Sequence, residues 1–365
     1  MTRIKDIIQH LESIAPLAYQ ESYDNSGLLT GNAKDEVTTV LISLDVTEQV
    51  VEEAIELGAN LIVAHHPIIF KGLKSLTGKN YVERTVIKAI KNDIAIYAIH
   101  TNLDNVHNGV NKKICDKLGL VNTKILSPKS AVLSKLVTFI PVNAVDKVKD
   151  AMFNAGSGGI GNYSECSFTV VGDGEFKPDE GSNPTIGRTG MREKVAEARV
   201  EIVLPSYLAN AVIYSLKNAH PYEEVAYYLS SLDNKNQQVG SGMIGELNTQ
   251  LSGLDFMHYL KDKMALNVVK HTQILDKKIK KVAVCGGSGS FLLPAAKSKG
   301  ADIFITSDYK YHEFFDADGD IIITDIGHYE SEVYTKDLIY DILSEKFSKF
   351  ALNLSKTVTN PISYL

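Results

Sequence analysis

Cysteine is scarce in this 365-residue chain: only Cys115, Cys166 and Cys285 occur, far apart and with no CxxC pair. An odd number of widely separated thiols argues against a disulfide framework or a thiolate cluster and fits a reducing, cytoplasmic compartment. Each thiol reads as a small buried apolar group. Long apolar runs are also missing. No stretch approaches the ~20 residues that a membrane-spanning helix requires, and the opening Met1-Thr2-Arg3-Ile4-Lys5-Asp6 begins an amphipathic pattern rather than a secretion signal. Positive charge is not in excess: 38 basic against 44 acidic residues leave a net charge of -6, so no global field recruits nucleic acid or anionic lipid. What is present, 44% hydrophobic and 22% charged residues, is ordinary globular composition with material for a large core. The length predicts two or three domains.

Hydrophobic periodicity sets the organisation. Ile4, Ile7, Ile8 and Leu11 share a helical face, with Thr2 placed to cap and Pro16 to terminate. A strand over 37–46, a helix capped by Thr47 with Val50, Val51, Ala54 and Ile55 on one face, and a short buried strand over 61–64 predict a β-α-β unit. A helix bearing Val82, Val86, Ile87 and Ile90, a strand over 94–99 and a helix bearing Val106, Val110, Ile114 and Leu118 continue it. The C-terminal part repeats the rhythm: strand 281–285, a Gly-rich turn, helix 290–299, strand 301–306, a short helix, strand 320–326 and a long helix from 328. Such alternation predicts a mainly parallel sheet. The middle differs. Strand-like segments at 132–140, 164–171, 196–204 and 223–229 enclose helices near 143–155 and 206–218, the β-α-β-β-α-β order of a ferredoxin-like domain. Its 172–194 connection is too long for a simple turn and reads as mobile or functional. The expected fold class is α/β: a discontinuous α/β domain with mainly parallel sheets, 1–126 and 241–365, interrupted by a ferredoxin-like α+β insert at 127–240.

Chemistry-bearing residues gather at the predicted strand ends. His65 and His66, before Pro67, leave the C-terminal end of a buried strand, the edge where open α/β sheets bind ligands. On extended backbone, adjacent rings point to opposite sides, suiting two ions better than one. A polar strand end with solvated imidazoles is the plain reading of the same pair. The next strand end supplies His100 and Asp104; Asp104 also suits a helix N-cap, and His100 also suits an outer hydrogen-bonding role. The third supplies His328 and Glu332, four residues apart and therefore on one helical face, whereas Glu330 faces elsewhere, towards solvent. Imidazoles and carboxylates in this mixture suit Zn, Fe, Mn, Co or Ni. His65, His66, Asp104, His328 and Glu332 are too many ligands for one open catalytic ion, and two ions about 3.5 to 4 Å apart would use them with a shared carboxylate.

Other signals are weaker. Gly286-Gly287-Ser288-Gly289-Ser290 follows a strand but completes neither GxGxxG nor a P-loop, so a tight turn is favoured over a phosphate site. Asp308, Lys310 and His312 again follow a strand, where one of them could touch substrate. Lys277, Lys278, Lys280 and Lys281 read as a solvated run. His220-Pro221-Tyr222-Glu223-Glu224 reads as a turn.

Taken in order, Tyr23-Asp24-Asn25-Ser26-Gly27-Leu28, His65-His66-Pro67, His100 to Asp104, Asp308 to His312 and Gly327 to Glu332 resemble the dinuclear-metal family of GTP cyclohydrolase 1 type 2 homologues. The insert is similar to PII and CutA-like domains. The resemblance implies two divalent ions per subunit, Zn foremost, held by His65, His66, Asp104, His328 and Glu332, with Glu332 or Asp104 bridging and His100 as a possible extra ligand. It further implies a homohexamer and hydrolysis of a small molecule or nucleotide, GTP in the family's name, with His312 or His100 as catalytic proton carrier. No membrane partner is expected. The rival is a metal-binding regulatory or scaffold assembly whose insert senses a small ligand, because a fold and a metal do not establish chemistry. A dinucleotide-dependent dehydrogenase is disfavoured by the incomplete glycine pattern.

Overall fold

The computed structural model describes residues 1–365. They form two compact units, Met1–Ser127 with Gln238–Leu365, and Pro128–Gln237. The first segment carries β1 (Gly27–Thr30), β2 (Thr39–Ser43), β3 (Leu61–Ala64), β4 (Ala95–Ala98) and β5 (Val121–Lys129). The middle carries β6 (Leu133–Pro141), β7 (Ser167–Phe176), β8 (Glu193–Pro205) and β9 (Tyr227–Leu232). The last segment carries β10 (Asn236–Leu251), β11 (Lys270–His271), β12 (Ile279–Ser288), β13 (Ile303–Ser307), β14 (Ile322–Asp325) and β15 (Ala351–Leu354).

The larger unit holds two mixed sheets. One has the order β1-β4-β3-β2-β15, antiparallel between β1 and β4 and parallel elsewhere. The other has the order β11-β14-β13-β12-β10-β5. There β12-β13 and β13-β14 are parallel, while β10-β12 and β11-β14 are antiparallel. The expectation of mainly parallel sheets holds for the first, where only β1–β4 is antiparallel, while the second mixes both directions. Parallel pairs make up the sheet centres and the β2–β15 edge, whereas β1, β10 and β11 run antiparallel to β4, β12 and β14 respectively. β10 escapes sequence reading because Gly240, Gly242 and Gly245 interrupt its alternation.

The central strands are apolar because both faces are covered. Leu41, Ile62 and Ile96 pack with Val50, Val51 and Ala54 of the helix Glu48–Glu56, whose N-terminus is capped by the Thr47 hydroxyl accepting from Val50 N at 3.3 Å. Phe304, Ala283 and Ile323 pack with Leu293 and Ala296 in the second sheet. Several local expectations shift. The first helix, Ile4–Ile14, is closed by the Asp6 carboxylate accepting from Arg3 N, not by Thr2. Val106 lies outside the helix Val110–Lys117, in a bridge to Val239. Ile90 is half exposed, and the buried face of the helix Tyr81–Lys91 is formed by Val86, Ala89, Glu83 and Thr85. The long last helix is split into His328–Glu332 and Thr335–Lys346.

In the Pro128–Gln237 unit the sheet order is β7-β8-β6-β9, with every pair antiparallel. Helices Val145–Asn154 and Ala209–Ala219 follow β6 and β8 and contribute Val148, Met152, Val212 and Leu216 to a core with Leu136, Ile140, Val200 and Ile202. β7 and β8 extend further than expected, so the connection between them narrows to 177–192.

Candidate metal centre

Strands β3 and β4 are parallel neighbours, so their C-terminal ends deliver His65, His66, His100 and Asp104 together. β14 ends at Asp325 and the turn through Gly327 starts the short helix that carries His328 and Glu332. β3 stops at Ala64, however, and His65 and His66 lie beyond it, their amides donating to Ser43 O (3.2 Å) and Leu44 O (2.9 Å). Strand alternation therefore no longer applies. The two rings lie 4.9 Å apart rather than on opposite sides, and one nitrogen from each, with one from His100, falls within 4.8 Å of the others.

A common pattern orients four imidazoles. Each donates its Nδ1–H outward: His65 to Ile99 O (2.9 Å), His66 to Asp45 (2.8 Å), His100 to Asp24 (2.8 Å) and His328 to Asp308 (2.6 Å). An outer acceptor of this kind fixes tautomer and ring orientation and leaves Nε2 for a ligand. Glu332 sits among these nitrogens, buried. Its Oε2 is 2.9 Å from His66 Nε2 and 3.0 Å from His328 Nε2, while Oε1 is 3.9 Å from His65 Nε2. Asp104 Oδ1 lies 3.7 Å from that same His65 nitrogen. Two donor groups thus share Glu332: His66, His328 and Glu332, and His65, Asp104 and Glu332.

The charges respond to this crowding. Burial lowers the His66 and His328 imidazoles, but Asp45 and Glu332 push His66 up to about 10, and Glu332 and Asp308 push His328 up to about 9. Burial raises Glu332, yet the surrounding imidazoles outweigh it and hold the carboxyl well below its usual range. Burial wins at Asp104, which is raised. For Asp24, burial is outweighed by His100 and Thr101, so that carboxyl is held low; Asp45 is lowered likewise, by His66 and Thr359.

Two atoms test whether a cation belongs here. His65 Nε2 and Asp104 Oδ1 are buried with no hydrogen-bond partner. Buried polar atoms are ordinarily satisfied, and 3.7 Å is too long for a hydrogen bond between them. A metal ion between an imidazole nitrogen and a carboxylate oxygen satisfies both, and the donor types suit a transition metal. The residues present fit the group.

Gly287 explains how the carboxylate comes so close. Its φ is +62°, and a Cβ there would lie 2.4 Å from Glu332 Oε1. The segment is the end of β12 rather than a free turn, and its amides are engaged: Gly286 N donates to Asn111 and Gly287 N to the Ser331 hydroxyl. That leaves neither amide for a phosphate.

The centre opens into a cavity of about 740 Å³ whose wall includes His66, His100, Asp104, His328 and Glu332, with Tyr23 and Phe70 among its rings. His312 is not brought there. Asp308, at φ +57°, turns the chain out of β13, and the 3-10 turn Tyr311–Ala317 leaves His312 exposed against Tyr311 and Phe315. Glu330 is not free in solvent as expected: half-buried, it accepts from Asn360 Nδ2 at 2.9 Å. Sequence reasoning assigned no role to Asp24 or Asp45 and overlooked the segment 355–364. Asp45 carried a usable signal, a carboxylate two residues past the buried β2, comparable to Asp104 six residues past β4. The 355–364 segment carried none. It is tied by Glu53, which accepts from the Ser355 and Thr357 hydroxyls and the amides of Lys356 and Thr357, and by Asp45, which accepts from Thr359. Asn360, Ile362 and Tyr364 then line the cavity.

The Duf34/NIF3 (NGG1p interacting factor 3) family model matches residues 2–361. The chain belongs to this family. A NIF3-family relative from Bacillus subtilis (strain 168), named GTP cyclohydrolase 1 type 2 homolog, is 38% identical over 99% of this chain and 98% of its own. A namesake from Halalkalibacterium halodurans is 39% identical over 98% of both chains. Among solved structures, a Bacillus cereus protein related to NIF3 matches with TM-score 0.86 and 39% identity, covering 100% of this chain and 99% of that one. A Staphylococcus aureus protein matches with TM-score 0.78 and 32% identity over 100% and 99%. No helix of the NIF3-family chain is long and apolar enough to cross a membrane.

Proposed function

We propose that this chain is a hydrolase working with two divalent metal ions per subunit, Zn foremost, with Fe, Mn, Co and Ni suited to the same ligands. The observation that carries the reading is the division of Glu332, whose Oε1 faces His65 and whose Oε2 faces His66 and His328. His65, Asp104 and Glu332 would hold one ion; His66, His328 and Glu332 would hold the other. Bound there, the ions would supply Lewis acidity towards water and a substrate oxygen. The protein's own part is orientation and proton transfer. Asp45, Asp308 and the Ile99 carbonyl fix the ligand rings. His100, pinned by Asp24 and lining the cavity, takes the role of proton carrier. His312, exposed and off the cavity wall, leaves that role to His100.

A purine nucleotide such as GTP is the first substrate to test, on the strength of the relatives' names; Tyr23 and Phe70 on the cavity wall offer ring faces to a base. A cytoplasmic homohexamer and a PII/CutA-like character for the 128–237 unit belong to the same proposal, the latter supported by its β-α-β-β-α-β connectivity. A second reading, a metal-bearing regulatory assembly, is favoured by one feature, a separate cavity within the 128–237 unit.

The test is turnover across a panel of GTP, other nucleotides, phosphoesters and amides, with and without added metal, for the wild type and Glu332→Ala. Metal-dependent turnover lost in the variant supports the hydrolase. Turnover indifferent to metal sinks it, and saturable binding without turnover favours the regulatory reading.

A further inference from the structure

Two sequence features have no part in the metal centre: the long connection after β7 and the segment His220-Pro221-Tyr222-Glu223-Glu224. Within the 128–237 unit they meet. Asn183 N donates to Glu223 Oε1 at 2.7 Å and the Thr185 hydroxyl donates to Pro221 O at 2.8 Å, so the connection is pinned to the segment at two points. His220 staples the segment to the sheet, accepting from Tyr222 N at Nδ1 (3.1 Å) and donating from Nε2 to Phe139 O (2.9 Å). Burial holds its imidazole below the ordinary value, which keeps it neutral in that tautomer.

Between the two lies a cavity of about 490 Å³, a size that suits a small molecule. Four rings stand on its wall in two pairs, Phe139 with Tyr228 and Phe176 with Tyr222, each with centroids 6.0 Å apart and planes at 84° and 58°. Glu175, Asp179, Glu197, Glu223 and Glu224 supply carboxylates, against Lys177 as the one basic side chain on the wall. The Tyr222 oxygen is buried with no hydrogen-bond partner of sound geometry. Burial, and the Glu197 carboxylate next to it, push that phenol above its ordinary value, so it keeps its proton and presents lone pairs to a donor.

Aromatic faces attract cations, and an excess of carboxylates repels anions. A neutral apolar ligand would make no use of the carboxylates, and a bare metal ion would make no use of the rings. We propose that this cavity binds a small alkylammonium ion, its charge held against the rings of Tyr228 and Phe139 and the carboxylates of Glu197 and Glu224. The site is independent of the metal centre and of whether that centre turns over substrate.

The experiment is calorimetric titration of the full-length protein with tetramethylammonium, choline and putrescine, and with 3,3-dimethylbutan-1-ol, the uncharged isostere of choline. The expected result is saturable binding of at least one of the three cations, with the alcohol at least about threefold weaker than choline where choline binds, the scale of a cation–π contact at a solvent-exposed ring. Tyr228→Ala and Glu224→Gln each weaken the cation about two- to fivefold, Tyr228→Phe retains it, and metal content per chain is unchanged in all three. Tyr228 and Glu224 are both exposed, so these variants leave the core intact. Equal binding of choline and the alcohol, no saturable binding of any of the three cations, or binding indifferent to Tyr228→Ala and Glu224→Gln would each overturn the proposal.

Discussion

Replacing Glu332 by Gln keeps the side-chain volume and removes the charge from the group that both donor sets share. Glu332 is 3% exposed and lies 2.9, 3.0 and 3.9 Å from three imidazole nitrogens. Taking one partner from a buried charged cluster costs about 3–5 kcal/mol. That cost falls on folding; on metal affinity, losing the shared ligand itself should exceed the roughly 10–100-fold that follows loss of an outer supporting group. Because Oε1 and Oε2 face different donor groups, both ions should be lost. Asp104→Asn is the contrasting variant. Asp104 belongs only to the group of His65 and Glu332, so its loss should release one ion and spare the other. The assay is elemental analysis of each protein after equilibration in metal-buffered solution. Near-stoichiometric pairs are expected in the wild type, about half that content in Asp104→Asn, and almost none in Glu332→Gln. Retention of one ion by Glu332→Gln, or loss of both in Asp104→Asn, refutes a shared Glu332.

Gly287→Ala sets a methyl 2.4 Å from Glu332 Oε1, so metal affinity should fall about 10–100-fold, the range seen when groups supporting a ligand are disturbed, with circular dichroism of the sheets unchanged. Glu53 governs the 355–364 segment by pH: burial raises its carboxyl, but the Lys356, Ser355 and Thr357 donors outweigh that and hold it below its ordinary 4.5. A lowered folded value means the stabilisation is fully present above pH 4.5 and is lost as pH falls through that lowered value. Amide exchange at Lys356 and Thr357 should therefore accelerate in that window and lose its pH-dependent step in Glu53→Gln. Phe304→Ala empties a fully buried ring site in β13 and should cost roughly 3–5 kcal/mol in urea unfolding, with Leu254→Ala, at an exposed site, as a near-neutral control.

The α/β alternation is legible because β2 to β4 and β12 to β14 are buried on both faces and read as short apolar runs separated by helical periods. The mixed character of the sheets is not, since β10 and β11 are glycine-broken or two residues long and owe their pairing to neighbours distant in sequence. The same contrast holds at the centre. Imidazoles and carboxylates just past strand ends are visible from spacing, whereas the ring geometry of His65 and His66 depends on where β3 stops. The outer acceptor Asp24 is a tertiary partner, 76 residues from His100, and no local pattern marks it. Asp45 was legible in principle; its bond to Thr359, 314 residues away, was not.

β5 and β10 lie side by side in one sheet, and the whole 128–237 unit is strung between them. His65, His66, His100 and Asp104 therefore leave the ribosome well over a hundred residues before His328 and Glu332. A nascent chain can close its first sheet strands and complete the middle unit while holding only part of the ligand set. On this layout completion of the paired centre is a late event in biosynthesis, and products of interrupted translation would lack Glu332, the carboxylate that both donor groups share.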